Sequence, residues 1–362
     1  MRRLHAAFAA ALALTACATI PEPGGGGENL PSAVAGPFRA IVQVEIGNLR
    51  VAPNALEDDD EFVRDPAVID RDGDPSTLEV VGYFGVAVAQ GGIKPAKTDP
   101  TRAIRRYGAL DGRSFDRSAE VVLEPTEAWE GGVLGQPSAL LAGGETWLYY
   151  AAAGGIGLAK SADGHAFTRA AGPILGAAMG GWEGTAVPAS PGVVRLADGS
   201  FRMFYEVAIT ADTTAIGEAS SPDGVTWTRV GSGPALAPAA TRDGVDQPYD
   251  DAAVGSPFPV LATSANGRAI LRVYYGARDH LGAAVIGLAA RYQEAPSSPL
   301  QRAPAAVFGT SKPLSPREPC ALLYPDFTLL FATQKAASNT DRPAVAAALA
   351  PALATLPPPD PM

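Results

Sequence analysis

The chain is poor in the residues that build metal centres and disulfides. Its 362 residues include two cysteines and three histidines, the latter at positions 5, 165 and 280. No group of them has the spacing of a zinc site, so we expect no metal there. Basic residues are also outnumbered, 28 against 38 acidic ones, and they form no concentrated stripe. Because a phosphate backbone attracts concentrated Lys and Arg, we expect no nucleic-acid partner.

Glycine and proline, by contrast, are abundant. The 40 glycines and 33 prolines make 73 of 362 residues, about a fifth of the chain, where average usage gives roughly 12%. So much turn-forming composition favours many short strands over a helical bundle. Hydrophobic residues make up 47% of the chain and charged residues 18%, which is enough apolar material for a sizeable core.

The N-terminus has the pattern of a secretion signal. Arg2 and Arg3 precede an unbroken apolar run of nine residues, 6–14. A run of nine is too short to span a bilayer, which takes about 20 helical residues, and it fits the apolar region of a signal peptide. Leu14-Thr15-Ala16-Cys17 follows. It resembles the lipobox of bacterial lipoproteins, in which the cysteine becomes lipidated.

We therefore predict a signal peptide over 1–16, a lipidated Cys17 carrying palmitate, and a Gly- and Pro-rich tether over 17–36. Ala18, rather than an aspartate, follows the cysteine, which in such lipoproteins points to the outer membrane. We expect a protein of the cell envelope, facing the periplasm or the exterior, that meets the membrane through this anchor. An ordinary signal peptide with an incidental cysteine is the alternative. Cys320 is then the second cysteine, so we expect no internal disulfide.

An internal repeat indicates the fold. Residues 156–169 align with residues 216–229 at a constant offset of 60, each with an Asp-Gly pair at Asp163-Gly164 or Asp223-Gly224. Gly-Pro-x-Leu follows both copies, at 172–175 and 233–236. An Asp-Gly pair between two strand-like runs is a strong hairpin signal.

Two further strands precede each hairpin, the first associated with a proline and the second with aromatic residues. The five prolines are 71, 54, 66 and 62 residues apart: Pro66, Pro137, Pro191, Pro257 and Pro319. Five units of four antiparallel strands predict an all-β, five-bladed β-propeller over 37–334. We expect the run 40–44 to close the last blade, and the Ala- and Pro-rich tail 335–362 to be flexible or a short docking helix. A solenoid or a sandwich is the alternative.

The order of these elements resembles the five-bladed propeller of glycoside hydrolases, the superfamily of arabinanases, xylosidases, invertases and levansucrases. The motifs are the proline-associated strand, the aromatic strand, the hairpin typified by 216–227, and Gly-Pro-x-Leu, over roughly residues 60 to 332. The resemblance implies a carbohydrate or polysaccharide as the partner. We expect the protein to be a monomer.

Strand direction predicts where a ligand would bind. If each innermost strand runs away from the ligand face, the Asp-Gly turns lie on the opposite face. The residues just before the five prolines, and the ends of the aromatic strands, then lie on the ligand face. The charged and histidine candidates there are Asp65, Glu183, Glu206, Asp250, Asp251, Arg278, Asp279, His280 and Glu318, with Trp182 beside Glu183.

Glycoside cleavage uses one carboxylate as base or nucleophile and a second, protonated one as acid. The resemblance implies that Asp65, before the first proline, is the base or nucleophile. It also implies acids before the third and fourth prolines, where this chain has Ser190 and Ser256. Glu183 or Asp251, six to eight residues upstream of those prolines, is then the candidate acid. We expect six residues to bind substrate: Glu206, Asp250, Arg278, His280, Glu318 and Trp182.

Each assignment has a structural alternative. Asp65 could cap a turn before Pro66. Glu183 could anchor a loop, because Trp129-Glu130-Gly131 repeats Trp182-Glu183-Gly184. We expect no cofactor, although the acidic run 57–61 would be a calcium site if it is not a solvated loop. The chain is thus a glycosidase-like enzyme, a non-catalytic glycan-binding or envelope-interaction propeller, or a structural lipoprotein.

Overall fold

Five four-stranded antiparallel sheets make up the computed structural model of the protein. It describes residues 38–40, 61–74, 77–91, 95–96, 99–109, 112, 115, 120–240, 248–263, 267–309, 315–334 and 344–350. Two single 3-10 turns, Ala128–Glu130 and Gly181–Glu183, are the helical elements of this part of the chain. Within it, no helix has the length and apolar character to span a membrane.

The sheets follow one another along the chain as blades of a propeller, each with its first strand innermost. Blade 1 contains β2 (Glu61–Asp70), β3 (Val80–Val88), β4 (Ala103–Ala109) and β5 (Glu120–Leu123). Blade 2 contains β6 (Leu134–Ala142), β7 (Glu145–Ala152), β8 (Gly155–Ser161) and β9 (Thr168–Arg169). Blade 3 contains β10 (Ala189–Arg195), β11 (Phe201–Ala208), β12 (Thr214–Ser221) and β13 (Thr228–Arg229). Blade 4 contains β14 (Ala253–Thr263), β15 (Ala269–Arg278), β16 (Ala284–Tyr292) and β17 (Gln301–Arg302).

Blade 5 is assembled from both ends of the chain. Its order is β18 (Pro316–Leu323), β19 (Thr328–Gln334), β20 (Ala344–Ala350) and, outermost, β1 (Arg39–Ala40). The expected closure by the run 40–44 is confirmed at Ala40, and Arg39 pairs with β20 as well; residues 41–44 lie outside the described residues. Closure by a strand from the other end of the chain pairs the outer edge of β20 and joins the two ends of the chain in one sheet.

The placement of the domain boundary at 334 was wrong. Residues 344–350, interpreted as part of a flexible or helical tail, pair along their whole length with β19. Val345, Leu349 and their neighbours fill the cores on both sides of the blade. The Ala-rich composition concealed a strand because small side chains suit the crowded space between blades.

The five prolines all lie on innermost strands, as predicted. In each blade the residue before the proline has a left-handed backbone, with φ between 44° and 55°, and the register with the second strand shifts by one residue. Such β-bulges re-aim a side chain, and a left-handed backbone at a non-glycine residue costs of order 1–3 kcal/mol. These residues are Asp65, Gln136, Ser190, Ser256 and Glu318.

The Asp-Gly turns lie at the opposite end of the propeller from these bulges, also as predicted. Asp163 Oδ1 accepts hydrogen bonds from the Ser161 hydroxyl and from the N–H groups of His165 and Ala166, and Asp223 does the same in the next blade. The Tyr83 hydroxyl of the preceding blade donates to the Gly164 carbonyl at 2.9 Å. The aspartates therefore fold the turns, and the tyrosine hydroxyl joins the turn to the preceding blade.

Buried carboxylates anchor the long loops between blades. In the loop before β10, Glu183 accepts a hydrogen bond from the Tyr205 hydroxyl at 2.7 Å and pairs with Arg229 Nε at 3.0 Å. Glu130 binds Tyr150 and Arg169 in the same way, and Asp250 binds Tyr275 and Arg302. The interpretation of Glu183 as the acid, and of Asp250 as a substrate ligand, is therefore corrected. Their oxygens are buried and already occupied, and both residues hold loops.

We predict that Glu183→Gln destabilises the fold by about 3 kcal/mol, because it breaks a buried ion pair at one partner. The Glu183 side chain is 2% exposed and that of Arg229 30% exposed. The control is Glu294→Gln, since Glu294 and Arg268 pair at the surface with 53% and 42% exposure. That variant should unfold at the same denaturant concentration as wild type. Equal midpoints for the two variants in urea unfolding would contradict the anchor role of Glu183.

Candidate functional site

The five bulge residues form a ring around the propeller axis. Asp65, Gln136, Ser190, Ser256 and Glu318, with the prolines that follow them, line a shared narrow opening on the axis. Innermost strands of all five blades place them there, at the ends from which those strands begin. The ring thus lies on the face predicted to receive a ligand.

A belt of hydrogen bonds joins ring residues across the blades. The N–H of Asp65 donates to Thr333 Oγ1 of blade 5 at 3.0 Å. The N–H of Gln136 donates to Asp65 Oδ2 at 3.1 Å, and the N–H of Ser190 donates to Gln136 Oε1 at 3.1 Å. The N–H of Ser256 donates to Glu206 Oε2 of blade 3 at 2.9 Å. In four of the five blades, a side chain thus caps the bulge of the following blade.

Asp65 and Glu318 form a carboxyl pair between blades 1 and 5. Asp65 is 5% exposed. Burial is the main cause that holds the pKa of Asp65 well above its ordinary range, and the charge of Glu318 and a hydrogen bond with Glu318 add to it. The charge of Arg64 and the hydrogen bond from the Gln136 N–H lower the pKa of Asp65, but by less. Two carboxyls in contact cannot both ionise at low cost, so the pair holds a proton at higher pH than a free carboxyl does.

Glu206 provides a third carboxylate, at the interface of blades 3 and 4. In a five-bladed ring that interface lies across the axis from blade 1, which carries Asp65. Burial raises the pKa of Glu206, and hydrogen bonds from Ser256 and Ser190 partly offset that effect. Glycines make room for both acids: a Cβ at Gly85 would lie 2.6 Å from Asp65 Oδ2, and one at Gly255 would lie 2.2 Å from Glu206 Oε2.

Two larger cavities adjoin the ring. One, of about 330 Å³, lies between blades 1 and 2 and is lined by Arg64, Asp65, Gln136 and Glu318 with small residues of β6 and β7. The other, of about 240 Å³, lies beside blades 3, 4 and 5. Its polar lining includes Gln136, Glu206, Asp212, Arg278, Arg317 and Glu318. In these cavities and the opening on the axis, the only aromatic lining residue in the described part of the chain is Phe258.

The structure brings together some of the predicted site residues and separates others. Asp65 and Glu318 line the opening on the axis, whereas Glu206 lines the cavity beside blades 3, 4 and 5. Arg278 also lines that cavity and donates to the Asp212 carbonyl. The carboxylate of Asp251 instead hydrogen-bonds to the backbone N–H and to Nδ1 of His280, both at 2.8 Å. Neither residue lines the three cavities, and Trp182 packs into the core between blades 2 and 3.

Other predictions fall outside the described residues. Cys17, the tether and the acidic residues at 57–60 are in this group. Among the described residues, no cluster of three or more His, Cys, Asp or Glu side chains could hold a metal ion. Cys320 is a buried, free thiol against Val68, and burial raises its pKa to about 12, as expected for a small core residue.

Sequence reasoning missed Gln136 and Thr333 as members of the belt, and it treated Ser190 and Ser256 only as departures from a motif. A signal for three of them was present, since Gln136, Ser190 and Ser256 each precede one of the five prolines. Thr333 carried no such signal, because its role depends on the register between β18 and β19, in which it pairs with Arg317.

Comparison with known proteins shows the same fold elsewhere. No family model and no curated protein matches the chain. Among solved structures, a glycoside hydrolase aligns with a TM-score of 0.61 at 16% identity, covering 86% of this chain and 94% of its own. A putative glycoside hydrolase from Bacteroides ovatus aligns with a TM-score of 0.61 at 15% identity, covering 89% and 98%.

A third structure is described under glycoside hydrolase family 130, a family of mannoside phosphorylases. That family contains glycoside hydrolases that target β-1,2-mannosidic linkages in Candida mannan. This third structure aligns with a TM-score of 0.60 at 15% identity and covers 90% of this chain and 96% of its own. At such identities the likeness is one of architecture. The chain has the five-bladed propeller fold found in glycoside hydrolases.

Proposed function

We propose that this protein hydrolyses glycosidic bonds of a carbohydrate bound at the propeller axis. The observation that carries the proposal is the geometry around the axis: a carboxyl pair, Asp65 and Glu318, lines the axial opening, and a third carboxylate, Glu206, lines the adjoining cavity beside blades 3 and 4. Glycosidases place one protonated and one ionised carboxyl on either side of the bond that they cleave. The fold shared with glycoside hydrolases adds support by analogy.

The proposed reaction begins with proton transfer from the Asp65–Glu318 pair to the glycosidic oxygen. The bond between that oxygen and the anomeric carbon breaks as a water molecule attacks the carbon. Glu206 takes the proton of the attacking water, so the products are a free leaving-group hydroxyl and a new anomeric hydroxyl. This gives Asp65 an acid role rather than the base or nucleophile role that the family resemblance implies. The reason is its raised pKa.

A non-catalytic glycan-binding propeller receives less support from the cavity walls. Binding sites that hold sugars without cleaving them rely on flat aromatic surfaces, whereas the described cavity linings contain carboxylates, amides, hydroxyls and arginines with Phe258 alone among aromatics. Carboxyls with raised pKa values in a cleft are instead typical of catalytic sites.

We predict that Asp65→Asn and Glu206→Gln each reduce hydrolysis at least a hundredfold, because each removes one member of the acid–base pair at nearly constant volume. The measurement is reducing-end release from a panel of plant and microbial polysaccharides. Glu79→Gln, which alters an exposed carboxylate before β3, serves as the control and should keep full activity. Wild-type protein that releases no reducing ends from the panel, or an Asp65→Asn variant as active as wild type, would contradict the proposal.

The raised pKa of Asp65 also predicts how stability depends on pH. An aspartate with a higher pKa in the folded than in the unfolded state, where it is about 3.9, binds more protons when folded, so its contribution to stability falls as pH rises. Asp65→Asn should therefore melt a few degrees above wild type at pH 8. The difference should shrink and then disappear as the pH falls below about 3.9, where wild-type Asp65 becomes protonated in the unfolded state as well. A melting-temperature difference that does not change with pH would show that Asp65 is ordinarily ionised.

We further propose that the propeller is held at the cell envelope by a lipid on Cys17. The support is the sequence Leu14-Thr15-Ala16-Cys17 after a nine-residue apolar run. Cys17→Ser should move the protein from the membrane fraction to the soluble fraction and abolish uptake of labelled palmitate. A variant that stays with membranes, together with a wild type that takes up no palmitate, would disprove the anchor.

A further inference from the structure

The hydrogen-bond belt uses two ways of capping a bulge. The residue before each bulge pairs with one residue of the second strand, which gives five equivalent second-strand positions: Gly85, Ala151, Glu206, Gly276 and Thr333. In blades 3 and 5 the side chain at this position, Glu206 or Thr333, caps the next bulge. In blades 1 and 2 the residue at this position is small. The side chain of the bulge residue itself, Asp65 or Gln136, caps the bulge of the next blade instead.

Blade 4 has neither device. Its bulge residue is Ser256, whose hydroxyl is directed to Glu206 and helps to lower the pKa of that residue. Its second-strand position is Gly276, which has no side chain. We call the contact between one blade and the bulge of the next a step of the belt. In the step from blade 4 to the Glu318 bulge of blade 5, no side chain of blade 4 caps the bulge, whereas the other four steps have such a side chain.

The space beside Gly276 is open. A Cβ there would meet the nearest atom, the Gly255 carbonyl, at 3.5 Å and the Glu318 nitrogen at 3.8 Å, both ordinary contacts. At Gly85, in contrast, the carboxylate of Asp65 already fills the equivalent space. Gly276 also lines the cavity of about 240 Å³.

A buried atom adjoins the same step. Glu318 Oε2 is buried and has no hydrogen-bond partner among the described residues. A buried oxygen without a partner costs roughly 1–3 kcal/mol, and such atoms in a cleft are often completed by a ligand.

We propose that the open step of the belt, beside Gly276 and Glu318, receives one hydroxyl group of the bound saccharide. The hydroxyl accepts from the N–H of Glu318, as Thr333 accepts from Asp65, and donates to Glu318 Oε2. A hydroxyl satisfies both demands because it is donor and acceptor at once. This inference rests on the proposed function and adds to it the place where the sugar is oriented.

The first test needs no ligand. Gly276→Ser and Gly276→Ala should fold and melt at or above the temperature of wild type, since Gly276 does not have a left-handed backbone and its surroundings admit a Cβ. Gly172→Ala is the control, because a Cβ at Gly172 meets nothing within 4 Å. A melting temperature well below that of wild type for both Gly276 variants would mean that the space is not open, and would overturn the inference.

The second test measures binding of the methyl glycosides of mannose, arabinose, xylose and galactose by calorimetry. Both Gly276 variants should bind about tenfold more weakly than wild type or worse, because the added group occupies the place of the hydroxyl. Gly172→Ala should bind as wild type does. Among deoxy analogues of the tightest ligand, the one that lacks this hydroxyl should bind wild type more weakly than its parent glycoside does. Gly276→Ala should bind that analogue and the parent glycoside with equal affinity.

The outcomes separate the two proposals. Wild-type affinity in both Gly276 variants would overturn the inference and leave the proposed function intact. A wild type that binds none of the four glycosides would contradict the proposed function and the inference together.

Discussion

The structure depends on a constraint repeated at five places, the left-handed residue before a proline on each innermost strand. This backbone turns one N–H per blade away from its own sheet and toward the neighbouring blade. That N–H then requires an acceptor, and a side chain of the preceding blade supplies it in four of the five blades. The same device that joins the blades thus gathers polar and acidic side chains around the axis.

The buried carboxylates of the propeller divide into two kinds. Glu130, Glu183, Glu218 and Asp250 each pair with an arginine, and they stabilise loops and blade interfaces. Asp65 instead contacts another carboxyl, Glu318, and Glu206 accepts from neutral hydroxyl and N–H groups. An arginine partner keeps a carboxylate ionised, whereas burial and a like charge favour its protonated form. The pairing therefore indicates which acids serve the fold and which are suited to proton transfer.

Much of this fold could be predicted from sequence, because its signals are local. The Asp-Gly hairpins and the five prolines recur at short intervals and fixed the blade count. β20 was missed because its run of alanines contains one β-branched residue, Val345, and no aromatic residue. Glu183 was placed near the axis because its partners, Tyr205 and Arg229, are distant in sequence. The repeated Trp-Glu-Gly loops and the arginines that end both hairpins, Arg169 and Arg229, were the available hint of an anchor.

If the proposed function is right, a saccharide binds and reacts between Asp65 and Glu206. A crystal structure of the Asp65→Asn protein with an oligosaccharide drawn from a substrate that wild type cleaves would locate the sugar. We expect a glycosidic oxygen within hydrogen-bonding distance of residue 65 or Glu318, and an anomeric carbon facing Glu206. Blade 2 has a separate cavity at its outer side, lined by Lys160, Asp163 and Arg169. An oligosaccharide bound there, with the axis free of sugar, would contradict the proposed function.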